Sequence, residues 1–349
     1  MANLAERPLS ASETDADAPR LLLFLGDVTE PGFAKTAFGL RDWAKERCVG
    51  EWGLPGASVS TGLRRLSPGQ AVAAGAQAML IGVASPGGSI PDAWVDELRE
   101  ALEAGLDLIS GMHSLLADLP GLAEAARRSG RRLIDVRVPP AGLQVGNGVK
   151  RAGRRLLTVG TDCALGKKYT ALALAREMRA RGVDATFRAT GQTGIMIAGE
   201  GIPIDAVVAD FIAGAAEALS PAAALDHLDV IEGQGSLFHP AYAGVSLGLL
   251  HGSQPDIFVV CHDPLRTHVL GRPEFALPSI EAVIAVTVAL GRLTNPSIRC
   301  VGVSLNTSAL NEAEATAIIA ETAARLDLPV ADPVRGGDTF ARLVDACLP

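Results

Sequence analysis

The chain has 349 residues, more than one ordinary domain uses and comfortable for two. Hydrophobic residues make up 48% and charged residues 20%, enough for large buried cores, with aromatics at only 4%. A net charge of -8 argues against a nucleic-acid surface, which needs basic clusters to displace counterions.

In chain order, residues 1–20 are polar and acidic, carry no signal-peptide pattern and read as a disordered lead-in. Residues 21–26 form a short apolar run ended by Gly and Asp, the mark of a buried parallel strand. A second strand is predicted at 78–83, leading into the turn Ala84-Ser85-Pro86-Gly87-Gly88. Helical periodicity follows over 92–104 behind Pro91, then a strand at 106–109, a helix at 122–128 and a strand at 133–136. This alternation predicts right-handed βαβ units and a doubly wound sheet. The Pro- and Gly-rich stretch 139–153 is the expected boundary, dividing the chain into domains 21–150 and 151–349.

The second half repeats the pattern. Strands are predicted at 156–159, 185–189, 230–231, 257–261, 282–287 and 301–305, and helices at 168–181 and 312–326, the latter capped by Asn311 or Thr307. No apolar run approaches the roughly 20 residues of a membrane span. Five scattered cysteines form no CxxC pair and no metal-ligand spacing. Reduced thiols, a cytoplasmic setting, no bound metal and no membrane partner are expected.

The most informative segment follows strand 156–159. It reads Gly160-Thr161-Asp162-Cys163-Ala164-Leu165-Gly166-Lys167-Lys168-Tyr169: a glycine-bounded loop, a Gly-Lys pair and an amphipathic helix. Glycines let backbone N–H groups curl round an anion, the helix N-terminus adds positive potential, and lysine adds a point charge. Five residues separate Gly160 from Gly166, as in P-loops of the dethiobiotin synthetase type. Lys168 stands where an NTPase places the Ser or Thr that holds Mg²⁺, and an ammonium cannot ligate a cation. Anion binding is therefore expected more firmly than ATP turnover. Cys163 reads as a small loop residue sooner than a nucleophile.

Other polar groups follow predicted strands, where ligands of open α/β sheets lie. Gln192 and Thr193, in Thr190-Gly191-Gln192-Thr193-Gly194, suit close approach to an anion or form an ordinary turn. Glu232, in Glu232-Gly233-Gln234-Gly235-Ser236, is a candidate general base, a metal-site acid or a cap, with His239 shortly beyond. Asp210 either meets a substrate ammonium or caps a helix near Phe211. Asn306 either faces a purine edge or makes an Asx turn. Five of the six histidines lie between Asp226 and Leu270 without zinc spacing, and His262 could face the site from a strand end.

The segments Gly-Thr-Asp-Cys-Ala-Leu-Gly-Lys-Lys-Tyr-Thr-Ala-Leu, Thr-Gly-Gln-Thr-Gly and Ile-Glu-Gly-Gln-Gly-Ser-Leu resemble a family long catalogued as a domain of unknown function. Its members pair an N-terminal Rossmann-like half with a C-terminal P-loop half, and the chain is similar to the DgcN-type D-glutamate N-acetyltransferases among them. The resemblance implies a small-molecule substrate, an acidic D-amino acid, with acetyl-CoA as co-substrate and a phosphate of CoA in the loop from Gly160 to Tyr169. So apolar a chain is also expected to form a homo-oligomer. Acetyl transfer needs a base to neutralise the amine and donors to hold the thioester oxygen. Glu232 is the first candidate base, ahead of His239 and Asp210, and Lys167, Lys168 or Gln192 could pair with the substrate carboxylate. The competing expectations are an ATP- and Mg²⁺-dependent kinase or ligase resembling dethiobiotin synthetase, and a nucleotide-sensing protein without catalysis.

Overall fold

The computed structural model describes residues 18–83 and 88–348. The lead-in expected at 1–20 lies outside them as far as residue 17, and so does the turn expected over 84–88 as far as residue 87. The described chain forms two compact units: one takes residues up to Pro139 together with Gln192–Pro203, the other Pro140–Gly191 and Ile204–Pro349.

The first unit contains strands β1 (Leu21–Phe24), β2 (Cys48–Trp52), β3 (Ala78–Ile81), β4 (Asp107–Ser110) and β5 (Leu133–Asp135). Helices α1 (Lys35–Trp43), α2 (Pro68–Ala73), α3 (Val95–Ala104) and α4 (Leu122–Ser129) connect them. All neighbouring strands run parallel, in the order β2-β1-β3-β4-β5, a doubly wound arrangement of the flavodoxin type. β1 and β3 are buried along their whole length, which is why they read as unbroken apolar runs. Gly26, at φ +55°, lets the chain turn beneath Trp94; a Cβ there would lie 2.3 Å from the indole. That indole meets Phe24 edge-on at 5.3 Å and donates from Nε1 to Asp27 at 3.1 Å. α2 begins with Pro68 behind a Ser67–Gln70 capping box, and α3 stops at Gly105 in the left-handed region.

The second unit starts with β6 (Arg154–Gly160), α5 (Lys167–Ala180) and β7 (Ala185–Arg188). The chain then forms α6 (Gln192–Ala198), which clusters with the first unit: Thr193 and Thr36 share a hydroxyl hydrogen bond of 2.9 Å, and Arg47 donates to the Met196 and Ile197 carbonyls at 3.1 Å. The second unit resumes with α7 (Ile212–Leu219), β8 (Leu228–Ile231), α8 (Ala243–Ser253), β9 (Ile257–His262) and a small hairpin, β10 (His268–Val269) with β11 (Arg272–Ala276). It ends with α9 (Ile280–Gly291), β12 (Arg299–Leu305), α10 (Glu312–Leu326), β13 (Val330–Ala331) and α11 (Gly337–Cys347). Six parallel strands make one sheet in the order β13-β12-β9-β6-β8-β7. β6 is central, so the loop that follows it is flanked by the ends of β8 and β9.

One predicted element changes type. Residues 282–287, expected as a strand, lie inside α9. The β-branched run Val-Ile-Ala-Val-Thr-Val imitates a strand, but Ser279 accepts the Ala282 N–H at 3.1 Å and Glu281 sits in the first turn, which start a helix instead. The expected cap of α10 is Asn311, in a reciprocal capping box with Glu314. Thr307 is buried and donates to Asp332 at 2.6 Å.

Candidate active site

The loop between β6 and α5 is built for an anion. Gly160 ends β6 in register with Cys261 of β9. Ala164 at φ +52° and Gly166 at φ +101° turn the chain back, and α5 opens at Lys167. The N–H groups of Asp162, Ala164, Leu165, Gly166 and Lys167 donate to no backbone carbonyl among the described residues. They are the unsatisfied donors of a P-loop and helix N-terminus. The Lys167 ammonium is buried and donates to the Asp162 carbonyl at 2.7 Å. Burial lowers its pKa, opposed chiefly by Cys163, then Cys261, Asp162 and Glu232. Lys168 is only half-buried, 5.3 Å from the centroid of the Tyr169 ring.

Arg266, which sequence reasoning missed, braces the loop from outside. Its Nη1 donates to Asp162 Oδ2 at 3.1 Å and to the Cys163 carbonyl at 2.7 Å, and Nη2 reaches the Ala164 carbonyl at 3.3 Å. Leu270 N–H adds a second bond to Asp162 Oδ2, at 2.7 Å. No local motif announces this, because the hairpin β10–β11 region is what brings Arg266 and Leu270 to the loop. Asp162 is fully buried, yet its Oδ1 has no hydrogen-bond partner among the described residues.

Glu232 leaves β8 beside the loop and is 4% exposed. Its Oε2 accepts the N–H groups of Thr190 at 3.0 Å and Gly191 at 3.1 Å, which fixes that oxygen. Burial raises its pKa, against Lys168, the two N–H bonds and Lys167, which pull it down. Gly233 then crosses Thr158 so closely that a Cβ would sit 1.6 Å from the Thr158 carbonyl oxygen and 3.1 Å from Lys167 Cδ. The Gly233 N–H is taken by Thr158 Oγ1 at 2.9 Å. Ser236 Oγ donates to the Thr161 carbonyl at 3.2 Å, and Gln234 Nε2 to Thr190 Oγ1 at 3.0 Å, so the loops after β6, β7 and β8 are stitched together.

His239 is brought to the same place. A carboxylate oxygen of Asp162, the Cys163 sulfur and a ring nitrogen of His239 lie within 4.8 Å of one another. These are ligand types that suit zinc. The neighbouring Lys167 ammonium and Arg266 guanidinium, however, favour an anion. His239 Nδ1 accepts the Ala241 N–H at 3.1 Å, so a neutral ring keeps its proton on Nε2 and acts there as a donor. Its ring stacks on Tyr242 at 4.4 Å. For the other thiols, burial pushes Cys48, Cys261 and Cys300 up to about 11 and Cys347 to about 12.

The remaining candidates stand differently. His262 meets Thr161 Oγ1 at 3.0 Å, and burial lowers its pKa. Asn306 Oδ1 accepts the Ser308 N–H at 3.3 Å, an Asx turn. Asp210 is exposed in the turn before α7 and has no hydrogen bond or ion pair among the described residues. Gln192 and Thr193 begin a helix instead of lying in a loop; Thr193 is buried against Thr36, and Gln192 lies over Gly111. Within the first unit, a cavity of about 250 Å³ at the ends of β1 and β2 is lined by Leu25, Glu51, Ser60 and Arg65. Glu51 there is consumed by Ser60 and Thr61, an internal brace.

Comparison with known proteins places this geometry. Residues 144–344 match the P-loop domain of the DUF1611 family of unknown function, and residues 55–139 match its Rossmann-like N-terminal domain. A D-glutamate N-acetyltransferase of Tritonibacter scottomollicae is 51% identical over 325 residues, 93% of this chain and 97% of that protein. One from a Pseudoalteromonas species is 46% identical, covering 91% and 96%. The crystal structure of a DUF1611 family protein from Anabaena variabilis superposes with a TM-score of 0.84 at 34% identity, over 94% of this chain and 98% of that one. The chain belongs to the DUF1611 family, with both its Rossmann-like and its P-loop domain.

Proposed function

We propose that this protein is an N-acetyltransferase that moves an acetyl group from acetyl-CoA to the amino group of D-glutamate. The observation that carries the reading is 51% identity, over almost the whole of both chains, to a protein named for that activity. The site supplies means that fit. Glu232, a buried carboxylate whose pKa is raised, takes the proton that leaves the acceptor nitrogen as the N–C bond forms. The neutral amine attacks the thioester carbonyl, and the oxygen gains negative charge. The His239 Nε2–H suits that oxygen. The C–S bond then breaks, and the CoA thiolate leaves and is protonated.

The kinase or ligase alternative has the five-residue loop spacing in its favour, but it requires a hydroxyl where Lys168 stands. Among the described residues no helix is long and apolar enough to cross a membrane, and the proposed setting is the cytoplasm. The test is thiol release from acetyl-CoA by purified protein without ATP. Release that depends on D-glutamate supports the reading. No release with D-glutamate, together with Mg²⁺-dependent ATP hydrolysis, overturns it.

A further inference from the structure

We propose that the loop from Gly160 to Lys167 holds a carboxylate of the acyl acceptor, and that the phosphates of the acyl donor bind elsewhere on the protein. The inference rests on the acetyltransferase reading and deepens it. It replaces the CoA phosphate that the family resemblance implies for this loop.

Three observations point this way. First, the candidate base is part of the loop's surroundings: Lys168 and Lys167 both act on the Glu232 carboxylate, and Gly233 packs against the Lys167 side chain. A base must reach the acceptor nitrogen directly or through one water. The thioester carbon must be there too, since the nitrogen attacks it. In acetyl-CoA the whole pantetheine arm separates the thioester from the diphosphate. With the diphosphate in the loop, the thioester would lie an arm's length away from Glu232. In an α-amino acid, by contrast, nitrogen and carboxylate are attached to one carbon.

Second, the charges alternate. Lys167, Lys168 and the N–H groups of Leu165, Gly166 and Lys167, which meet no backbone carbonyl among the described residues, suit an anion. Directly beside them lie two buried carboxyl groups, Glu232 and Asp162. Asp162 Oδ1 is fully buried and lacks a donor, which is costly unless a ligand brings one. Arg266 already pairs with Asp162 Oδ2, so the like charge that a diphosphate would meet here is Glu232. An amino acid offers a carboxylate to the lysines and an ammonium to the acids, satisfying both sets. Third, Lys168 replaces the hydroxyl that would bring a metal to a bound polyphosphate, and a carboxylate has no use for that metal.

The experiment uses the full-length protein, thiol release as readout, and glutarate as a dicarboxylate probe that lacks the amine. Glutarate is expected to inhibit competitively against D-glutamate and not against acetyl-CoA. Lys168→Met is expected to raise the KM for D-glutamate about 10- to 100-fold, the loss of one charged hydrogen bond. The KM for acetyl-CoA should stay within about twofold. Should Lys168→Met fail to fold, Lys168→Gln, read for the same split between the two KM values, decides in its place. Glutarate competing with acetyl-CoA, or a variant that weakens acetyl-CoA and spares D-glutamate, overturns the inference while the acetyltransferase reading stands. Absence of thiol release with D-glutamate overturns both.

Discussion

Glu232→Gln leaves a carbonyl oxygen for the Thr190 and Gly191 N–H groups and removes the charge, so it separates structure from chemistry at one atom. Turnover is expected to fall about 10²- to 10⁴-fold, the usual contribution of a general base. The pH profile gives the sharper test. Burial raises the Glu232 pKa, so the ionised base is lost as pH falls through a value above the ordinary carboxylate range. The acid limb of kcat/KM should therefore lie above that range in the native protein and vanish in Glu232→Gln. Thiol-release rates across pH measure it, and an unchanged limb in the variant would assign it to another group. Gly233→Ala tests the neighbouring backbone: its Cβ would have to enter the Thr158 carbonyl, so a loss of several °C in Tm is expected by thermal unfolding. The loop and Glu232 were legible in the sequence because each motif is local, a strand followed at once by glycines and a polar group. Arg266 and the orphaned Asp162 Oδ1 were not, since both depend on a distant hairpin closing over the loop.

At the scale of single elements, α9 shows where apolar pattern misleads. Its 12 residues are hydrophobic on nearly all sides, so neither a period of two nor of 3.6 stands out, and β-branched residues tip the reading toward a strand. The decisive signal is Ser279, and Ser279→Ala should cost about 1 kcal/mol, read as a lower midpoint in chemical denaturation. β5 offers a second test. Asp135, which accepts the Leu116 N–H, is pushed from 3.8 up to about 6, mainly by burial and then, against the bond from Leu116, by Asp118. A carboxyl with a raised folded pKa binds its proton more tightly when folded. Its contribution is thus most favourable below 3.8 and declines as pH rises through about 6. Asp135→Asn should remove that decline, so its midpoint should gain on the native protein between pH 4 and pH 7. Equal pH dependence of the two proteins would reject the assignment. Helix α8 escaped prediction because Ala243, Gly244, Gly248 and Gly252 leave little contrast between its faces.

For the molecule as a whole, alternating strands and helices foretold two parallel α/β sheets, and they are what the chain builds. What no pattern revealed is the excursion of Gln192–Pro203 into the first unit. A fragment of residues 140–349 would lack Thr36 and Arg47, which bond α6. Limited proteolysis should therefore cut that fragment between 192 and 203 well before the full chain is cut there, with the six-stranded sheet resisting longest. Cleavage at equal rates would show that α6 needs no support from those residues. The contact of Gly233 with Thr158 carries a last consequence, for descent. Its glycine is required by two backbones crossing, whatever reaction takes place beside them. With Glu232 as the proposed base, a gene copy could exchange it and lose the old chemistry while Gly233 stayed, so part of this signature would travel with ancestry and not with activity. Within such a lineage, the residue to read for a change of trade is the acid before the glycine.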